Sequence, residues 1–112
     1  MFPGNAIRER AAVHNQLGKI YNDAQQADAA LLHYRESVRY KDAMQDHFGA
    51  GRTRENAARA LGGASRFADA REWAQAALRD FQASNNADQE VVDTLKLLEQ
   101  IESALRGTSP PS

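Results

Sequence analysis

Apolar side chains recur every three or four residues along most of the chain, and no stretch alternates apolar and polar residues over five or more positions. The first spacing is typical of amphipathic helices, whereas strict alternation would predict a strand. Proline occurs only at positions 3, 110 and 111, so the interior lacks the residue that breaks helices most strongly. Alanine, arginine, glutamine, glutamate and leucine, all good helix formers, are abundant. The pattern predicts an all-α chain.

The chain resembles itself after a shift of 40 positions, which places Leu17-Gly18-x-x-Tyr21 on Ala57-Ala58-x-x-Leu61. A second shift places Leu97-Leu98-x-x-Ile101 in the same positions. A period of this length is typical of stacked helical hairpins. We therefore predict five helices, at about 6–23, 26–43, 47–63, 66–83 and 87–106. The first, third and fifth are called A helices below, and the second and fourth are called B helices.

The predicted boundaries divide the chain into a small number of units. They are an N-terminal extension at 1–5, a first repeat at 6–46, a second repeat at 47–86, a capping helix at 87–106 and a disordered tail at 107–112. Asp46 and Asn86 lie 40 positions apart and are both good N-caps. Asn86-x-x-Gln89 also has the spacing of a capping box. Small residues, Gly18 and Ala58 on the A helices and Ala30 and Ala70 on the B helices, are expected where two helices approach closely.

These residues resemble a known repeat signature. Leu17-Gly18-x-x-Tyr21, followed by Ala30 and Tyr34, resembles the tetratricopeptide (TPR) repeat, with His14 in the place of its tryptophan. The 40-residue period is longer than the usual ~34 residues. It is similar to the long-repeat branch of the family, found in spindle-orientation adaptors, kinesin light chains and bacterial multidomain signalling proteins. The resemblance implies a right-handed α-α superhelix, or solenoid, of two hairpins plus a C-terminal capping helix.

The sequence also departs from that family pattern. Ala57 stands where leucine is usual, and Gln25 and Ser65 stand where glycine often begins the turn. The segment from Asp46 to Asn56 is similar to the helix A opening of the long-repeat branch.

Composition excludes several classes of function. The chain has 14 basic and 15 acidic residues and a formal net charge of −1, which gives no electrostatic case for binding nucleic acid or an anionic membrane. It has no cysteine, no apolar core of a signal peptide at its start, and no apolar run near the ~18 residues that a membrane span needs. We expect a soluble, cytoplasmic protein with no nucleic-acid or membrane partner.

Neither a metal site nor a catalytic site is predicted. His14, His33 and His47 include no i,i+4 pair, and His14 occupies a core-facing repeat position, where a packed imidazole is the expected state. The carboxylates lack a nucleophile–base partner, and nothing after Gly62-Gly63 resembles a phosphate-binding loop. We therefore predict no enzyme activity, no catalytic residue, no metal and no cofactor. Trp73 is interpreted as packing rather than recognition, although its position next to the core slot of Ala74 would leave it partly exposed.

The candidate binding surface is the face of the A helices that does not pack within a hairpin. The resemblance implies that this face lines a concave wall, where tetratricopeptide proteins typically bind peptides. Cations and side-chain amides on it can bind carboxylates and the backbone of an extended peptide. A helix surface also needs charges for solubility, which is the alternative explanation. The candidate partner-binding residues are Asn15, Gln16, Lys19, Arg52, Asn56, Arg59 and Lys96.

The leading functional hypothesis is a protein-protein interaction module that binds a partner peptide or protein, acidic or C-terminal, on this face. The alternative is a structural end-piece or self-association unit of a longer array, with no peptide ligand of its own. A third, weaker hypothesis is ligand-sensing regulation in a bacterial signalling protein.

The second hypothesis depends on which apolar side chains lack a neighbouring helix. Val13 and Ile20 occupy positions that face the preceding B helix in a repeat array, and the first helix has no predecessor in this chain. Their equivalents are Thr53 and Ala60 on the second A helix, and Asp93 and Gln100 on the third. An apolar arc of the capping helix, which runs from Thr94 through Leu97, Leu98, Ile101 and Ala104 to Leu105, also lacks a following helix. We expect a homodimer through Val13, Ile20 or the capping helix, or a neighbour from a longer array, unless Ile20 folds back onto its hairpin and Met1-Phe2 covers Val13.

Overall fold

The computed structural model describes residues 3–107, and it describes the side chains from Ala6 onward. It contains five α-helices and, within those residues, no strand. They are α1 (Pro3–Asp23), α2 (Ala27–Ala43), α3 (His47–Gly63), α4 (Phe67–Gln82) and α5 (Asp88–Gly107). The prediction of an all-α chain is confirmed. None of these helices is both long enough and apolar enough to cross a membrane.

The first helix begins three residues before its predicted start. Helix α1 begins at Pro3 rather than near residue 6, so most of the predicted extension at 1–5 is helical. Proline is favoured at the first helical position because its missing N–H would have no partner there. At the other end α5 includes Gly107, and the rest of the predicted disordered tail, 108–112, lies outside the described residues.

The first three helix junctions share one hydrogen-bonding pattern. After α1, the N–H of Gln25 donates to the carbonyl of Asn22, and the N–H of Gln26 donates to that of Tyr21. The same pair of bonds recurs 20 and 40 residues later, centred on Gln45 and Ser65. This is the Schellman arrangement, in which a left-handed residue ends the helix and its last carbonyls are satisfied. The identical turns are the local origin of the repeat.

Only one of the two predicted N-caps is present. The N–H of Gly49 donates to Oδ1 of Asp46 at 2.9 Å, so Asp46 caps α3 as predicted. Asn86 does not cap α5, because its backbone is left-handed, with φ 58°, and the helix begins two residues later at Asp88. The predicted capping box was therefore wrong. Asn86 instead occupies the turn, where asparagine tolerates the left-handed conformation better than most residues do.

Helices α1 and α2 form one antiparallel hairpin, and α3 and α4 form a second. Each hairpin pairs a glycine with a large aromatic ring. A Cβ on Gly18 would lie 2.5 Å from Cε1 of Tyr34, and a Cβ on Gly51 would lie 2.9 Å from Cε1 of Phe81. The prediction that Gly18 marks a close helix contact is confirmed, and Ala58 at the equivalent position in the second hairpin is fully buried.

One apolar core runs from α2 to α5. Tyr34 and Leu61 are among its largest fully buried side chains, and most of the other buried positions are alanines. Small side chains let the helices approach closely, so this thin core is closely packed rather than wide. Its buried members are Ala30, Leu31, Tyr34, Ala57, Ala58, Ala60, Leu61, Ala70, Ala74, Leu97 and Ile101.

Polar contacts join helices across this core. The Ser37 hydroxyl donates to the carbonyl of Ala11 at 2.8 Å, which fixes α2 against α1. Arg54 of α3 donates to Asp80 of α4 at 2.5 Å and to Asp42 at the end of α2 at 3.0 Å. Burial by itself would lower the pKa of the Arg54 guanidinium, but the hydrogen bond to Asp80 and the charges of both aspartates outweigh it and raise that pKa.

The packing of helix α5, mainly against α4, corrects two predictions. The apolar arc that was expected to lie uncovered points inward in part, because Thr94, Leu97 and Ile101 are buried and the last two belong to the apolar core. Gln100, the counterpart of buried Ala60, is exposed. The large apolar side chains that α5 leaves exposed are instead Val92 and Leu95.

Candidate functional site

Two of the predicted binding residues contact each other directly. Nδ2 of Asn56 on α3 donates to Oδ1 of Asn15 on α1 at 3.2 Å, and both residues are half-buried. The residues are 41 positions apart in sequence, one on the A helix of each hairpin. This contact places the predicted faces of α1 and α3 side by side.

Three more predicted residues, Gln16, Lys19 and Arg52, are exposed. The Arg52 guanidinium lies 6.0 Å from the centre of the Phe48 ring, within the range of a cation–π interaction. Burial lowers the pKa of Lys41, at the end of α2, and the positive charges of Arg52 and Lys19 add to this effect while Asp46 opposes it. Lys41 thus interacts electrostatically with two of the predicted cations, Lys19 and Arg52. It was not itself among the predicted site residues.

Arg59 and Lys96 lie on opposite sides of the gap between α3 and α5. Together they line a cleft of about 190 Å³ whose other walls are Asp93, Leu97 and Gln100. The helices therefore bring together two cations that are 37 positions apart in sequence. The packing of α5 places both side chains on the lining of one cleft.

A second, more apolar cleft of about 290 Å³ adjoins the first and shares Arg59, Leu97 and Gln100 with it. Its remaining wall consists of Ala58, Gly62, Phe67 and Ile101. The two clefts form one groove, called the α3–α5 groove below. Leu97, Gln100 and Phe67 were not among the predicted site residues.

Carboxylates moderate the positive charge of the α3–α5 groove. Oε2 of Glu55 lies 3.4 Å from the Arg59 guanidinium, one helical turn away. Asp93 lies in the wall and accepts a hydrogen bond from Gln89 at 2.9 Å. The Arg59–Glu55 pair is exposed on the arginine side, so water screens it and an incoming carboxylate can compete for the guanidinium.

The remaining candidates are placed as follows. Trp73, interpreted as packing, is half-buried against the core. His14 is half-buried rather than fully packed, and its ring contacts His33 on α2. Across residues 3–107, no group of three or more histidine, aspartate or glutamate side chains comes together that could hold a metal ion.

Comparisons of the chain with protein-family models, with curated proteins and with solved structures find no match.

Proposed function

We propose that this chain is a protein-interaction module of the tetratricopeptide type, which holds a partner peptide against the exposed face of its A helices. The α3–α5 groove is the single observation that carries the proposal. Three features support the family assignment: the turns that recur every 20 residues, the antiparallel hairpins and the glycine–aromatic contacts.

The groove combines the two features that peptide recognition needs. Its apolar part, formed by Phe67, Leu97 and Ile101, can bury one side chain of a partner, and burial of a leucine-sized group is worth roughly 1.5–3 kcal/mol. Beside it, Arg59 and Lys96 can donate to a carboxylate, which gives charge-assisted hydrogen bonds. The favoured ligand is an acidic segment, or a chain terminus with its carboxylate, that carries an apolar side chain close to the charge.

Charge reversal on this face tests the proposal. We expect Arg59→Glu combined with Lys19→Glu to abolish capture of peptides that native protein selects from a displayed peptide library. Arg59→Glu combined with Lys96→Glu should do the same if the α3–α5 groove is the principal contact. Binding by the native chain should weaken as salt rises, because exposed charges are screened over ~8–10 Å near physiological ionic strength.

The control is an equal charge change on the B helices, Arg35→Glu with Arg79→Glu, both at exposed positions. Circular dichroism should show the same helix content in all variants. Selected peptides that bind the A-helix variants normally but lose binding to the B-helix control would move recognition to the opposite face and contradict the proposal.

A second candidate function is an end-piece that docks on another helix, and one observation favours it. Val13 and Ile20 are 54% and 60% exposed, while their equivalents Thr53 and Ala60 are 0% and 2% exposed beneath α2. This surface of α1 thus corresponds to the surface of α3 that α2 covers. It carries larger apolar side chains than that covered surface does. A helix that packs on α1 as α2 packs on α3, from a second copy or from a preceding repeat, is the occupant that this surface fits.

A further inference from the structure

Four rings form a row between α1 and α2, in the order Tyr21, His33, His14, Tyr40. The ring centres are separated by 5.3 Å between Tyr21 and His33, by 5.3 Å between the two histidines and by 6.0 Å between His14 and Tyr40. Adjacent planes are inclined by 3°, 26° and 19°. All four residues are half-buried. The binding face proposed above does not use this row.

The two histidines meet nitrogen to nitrogen. Their Nδ1 atoms are 3.0 Å apart, and their ring centres are 5.3 Å apart. The distance between the ring centres exceeds the distance between the Nδ1 atoms by about twice the distance from the centre of an imidazole ring to one of its atoms. Both nitrogens must therefore lie close to the line that joins the two ring centres. Each lone-pair direction therefore points at the other nitrogen, which is the geometry of an N–H···N hydrogen bond. One Nδ1 must carry a proton and the other must accept it.

Such a pair holds a proton better than a metal ion. Two ligands of one zinc ion each lie about 2.0–2.1 Å from it and converge on it at a tetrahedral angle, whereas these lone pairs oppose each other. No third histidine, aspartate or glutamate completes a ligand set here within the described part of the chain. The 3.0 Å separation, by contrast, suits a shared proton without any rearrangement.

The charged groups around the row do not pair with the histidines. Tyr21 from α1 and Tyr40 from α2 are the titratable groups in ring contact, and the Arg39 guanidinium lies 5.8 Å from the centre of the Tyr40 ring. Glu36, one turn from His33, lies 3.4 Å from Arg39.

Further charged groups lie on the helices around the row. On α1 they are Arg10 and Lys19, the first of which lies one turn before His14. From α3, Arg52 acts on Lys41 and Arg54 pairs with Asp42, both near the end of α2. Most of these groups are cations.

We infer that His14 and His33 form a single proton-binding unit that makes the first hairpin sensitive to acid. With one added proton, an imidazolium donates to a neutral imidazole and the hydrogen bond becomes charge-assisted. A second proton can bind only at the accepting Nδ1. The bond is then lost, and two positive rings with opposed N–H groups lie in contact.

The direction of the pH effect follows from proton counting. In the unfolded chain the histidines are apart, and each takes up a proton near pH ~6.5. The folded pair takes up one proton where the unfolded chain takes up two, so the unfolded state binds more protons in acid. Stability therefore falls as the pH falls through this range, and the contact between α1 and α2 is the part that weakens.

Nitrogen-resolved NMR of the native chain tests the inference directly. At neutral pH we expect one of the two histidines to carry its proton on Nδ1 and the other on Nε2. As the pH falls to about 5, a range that spans ordinary histidine titration, the pair should gain one proton in total. Uptake of two protons over that range, one by each ring, would overturn the inference.

Thermal unfolding supplies a second test. His14→Phe and His33→Phe keep a ring in the row but cannot share a proton, and His47→Phe is the matched control. Between about pH 7.5 and about pH 5, we expect the native chain and the control to lose roughly 4–8 °C more in melting temperature than either pair variant. Equal pH dependence in all four proteins would contradict the inference, and the NMR result stands even if a variant fails to fold.

Discussion

Three residues with a left-handed backbone follow the ends of the first three helices, and a fourth lies just before α5. They are Gln25, Gln45, Ser65 and Asn86, with φ between 56° and 61°. For an L-residue other than asparagine or aspartate this conformation is costly, because Cβ crowds the following carbonyl oxygen. Gln25 and Ser65 had been singled out in the sequence as departures from glycine, and the structure shows that the backbone conformation is the one that glycine adopts most easily.

Replacing one of these residues by glycine should stabilise the protein. Left-handed backbone costs an L-residue about 1–2 kcal/mol, while glycine loses roughly 0.5–1 kcal/mol more in chain entropy on folding. Gln45→Gly should therefore raise the free energy of unfolding by up to about 1 kcal/mol, as measured by urea denaturation.

The same substitution in a helix interior is the control for this prediction. Gln75→Gly, at an exposed position of α4, should lower the free energy of unfolding by about 1 kcal/mol. A loss of stability at both positions would show that the residue 45 side chain contributes more than its backbone strain costs.

A buried hydroxyl marks the interface between α2 and α3. Thr53 is fully buried, and its Oγ1 has no hydrogen-bond partner. An unsatisfied buried hydroxyl costs about 1–3 kcal/mol. Valine has nearly the same shape and lacks this cost, and the equivalent position on α1 is Val13. We therefore expect a valine at position 53 to fill the same space without an unsatisfied hydroxyl.

At the scale of the helices, each hairpin is determined by where its small residues lie. Gly18 accommodates the ring of Tyr34 in the first hairpin, and Gly51 accommodates the ring of Phe81 in the second. The glycine and the aromatic ring occupy different repeat positions in the two hairpins. In each contact, the missing side chain of glycine leaves room for the large ring. A helix exchanged between the two hairpins would bring a side chain against that ring and overpack the contact.

Enlarging a close contact should destabilise the fold. Ala58 is fully buried where α3 lies against its neighbours, and Ala83 at the end of α4 is exposed. Ala58→Leu should overpack the core and cost about 1–3 kcal/mol, which lowers the melting temperature by several degrees. Ala83→Leu should have a much smaller effect. Equal, small effects in calorimetry would mean that position 58 is not a close contact.

At the scale of the whole molecule, the two ends of the helix stack differ. Helix α5 turns its apolar arc inward and leaves exposed Val92 and Leu95 on its outer side. Helix α1 exposes Val13 and Ile20 on the surface whose counterpart on α3 is buried. Both ends therefore expose large apolar side chains, and the first end differs in that the equivalent surface of α3 is covered by a helix.

Self-association through α1 is the prediction at this scale. Burial of Val13 and Ile20 is worth roughly 1.5–3 kcal/mol for each side chain. We expect light scattering at micromolar concentration to show a dimer, and Val13→Ser with Ile20→Ser should return the chain to a monomer. Leu32→Ser, which removes an equally exposed apolar group from α2, is the control. A monomer that these changes leave unaltered would eliminate self-association, and a preceding repeat would remain as the occupant.

Local information in the sequence determined the helices and their spacing. Apolar periodicity, the absence of interior proline and the Asp46 cap act within one or two turns, so they can be recognised without knowing which helices meet. The same locality explains the error at Asn86, because a good N-cap residue is also one that tolerates a left-handed turn. Membership of the tetratricopeptide family remains a prediction from the residues.

Only the tertiary structure decided which side chains meet between helices. The apolar arc of α5 was visible in the sequence, but its inward direction depends on how α5 rotates to fit α3 and α4 together. That rotation also places Lys96 in the same cleft as Arg59, and the pairing of α1 with α2 brings His14 to His33. These arrangements involve residues 37 and 19 positions apart, and they result from packing several helical surfaces at once. No single helix carries that information, because its own sequence specifies an apolar face but not the rotation at which a neighbour will meet it.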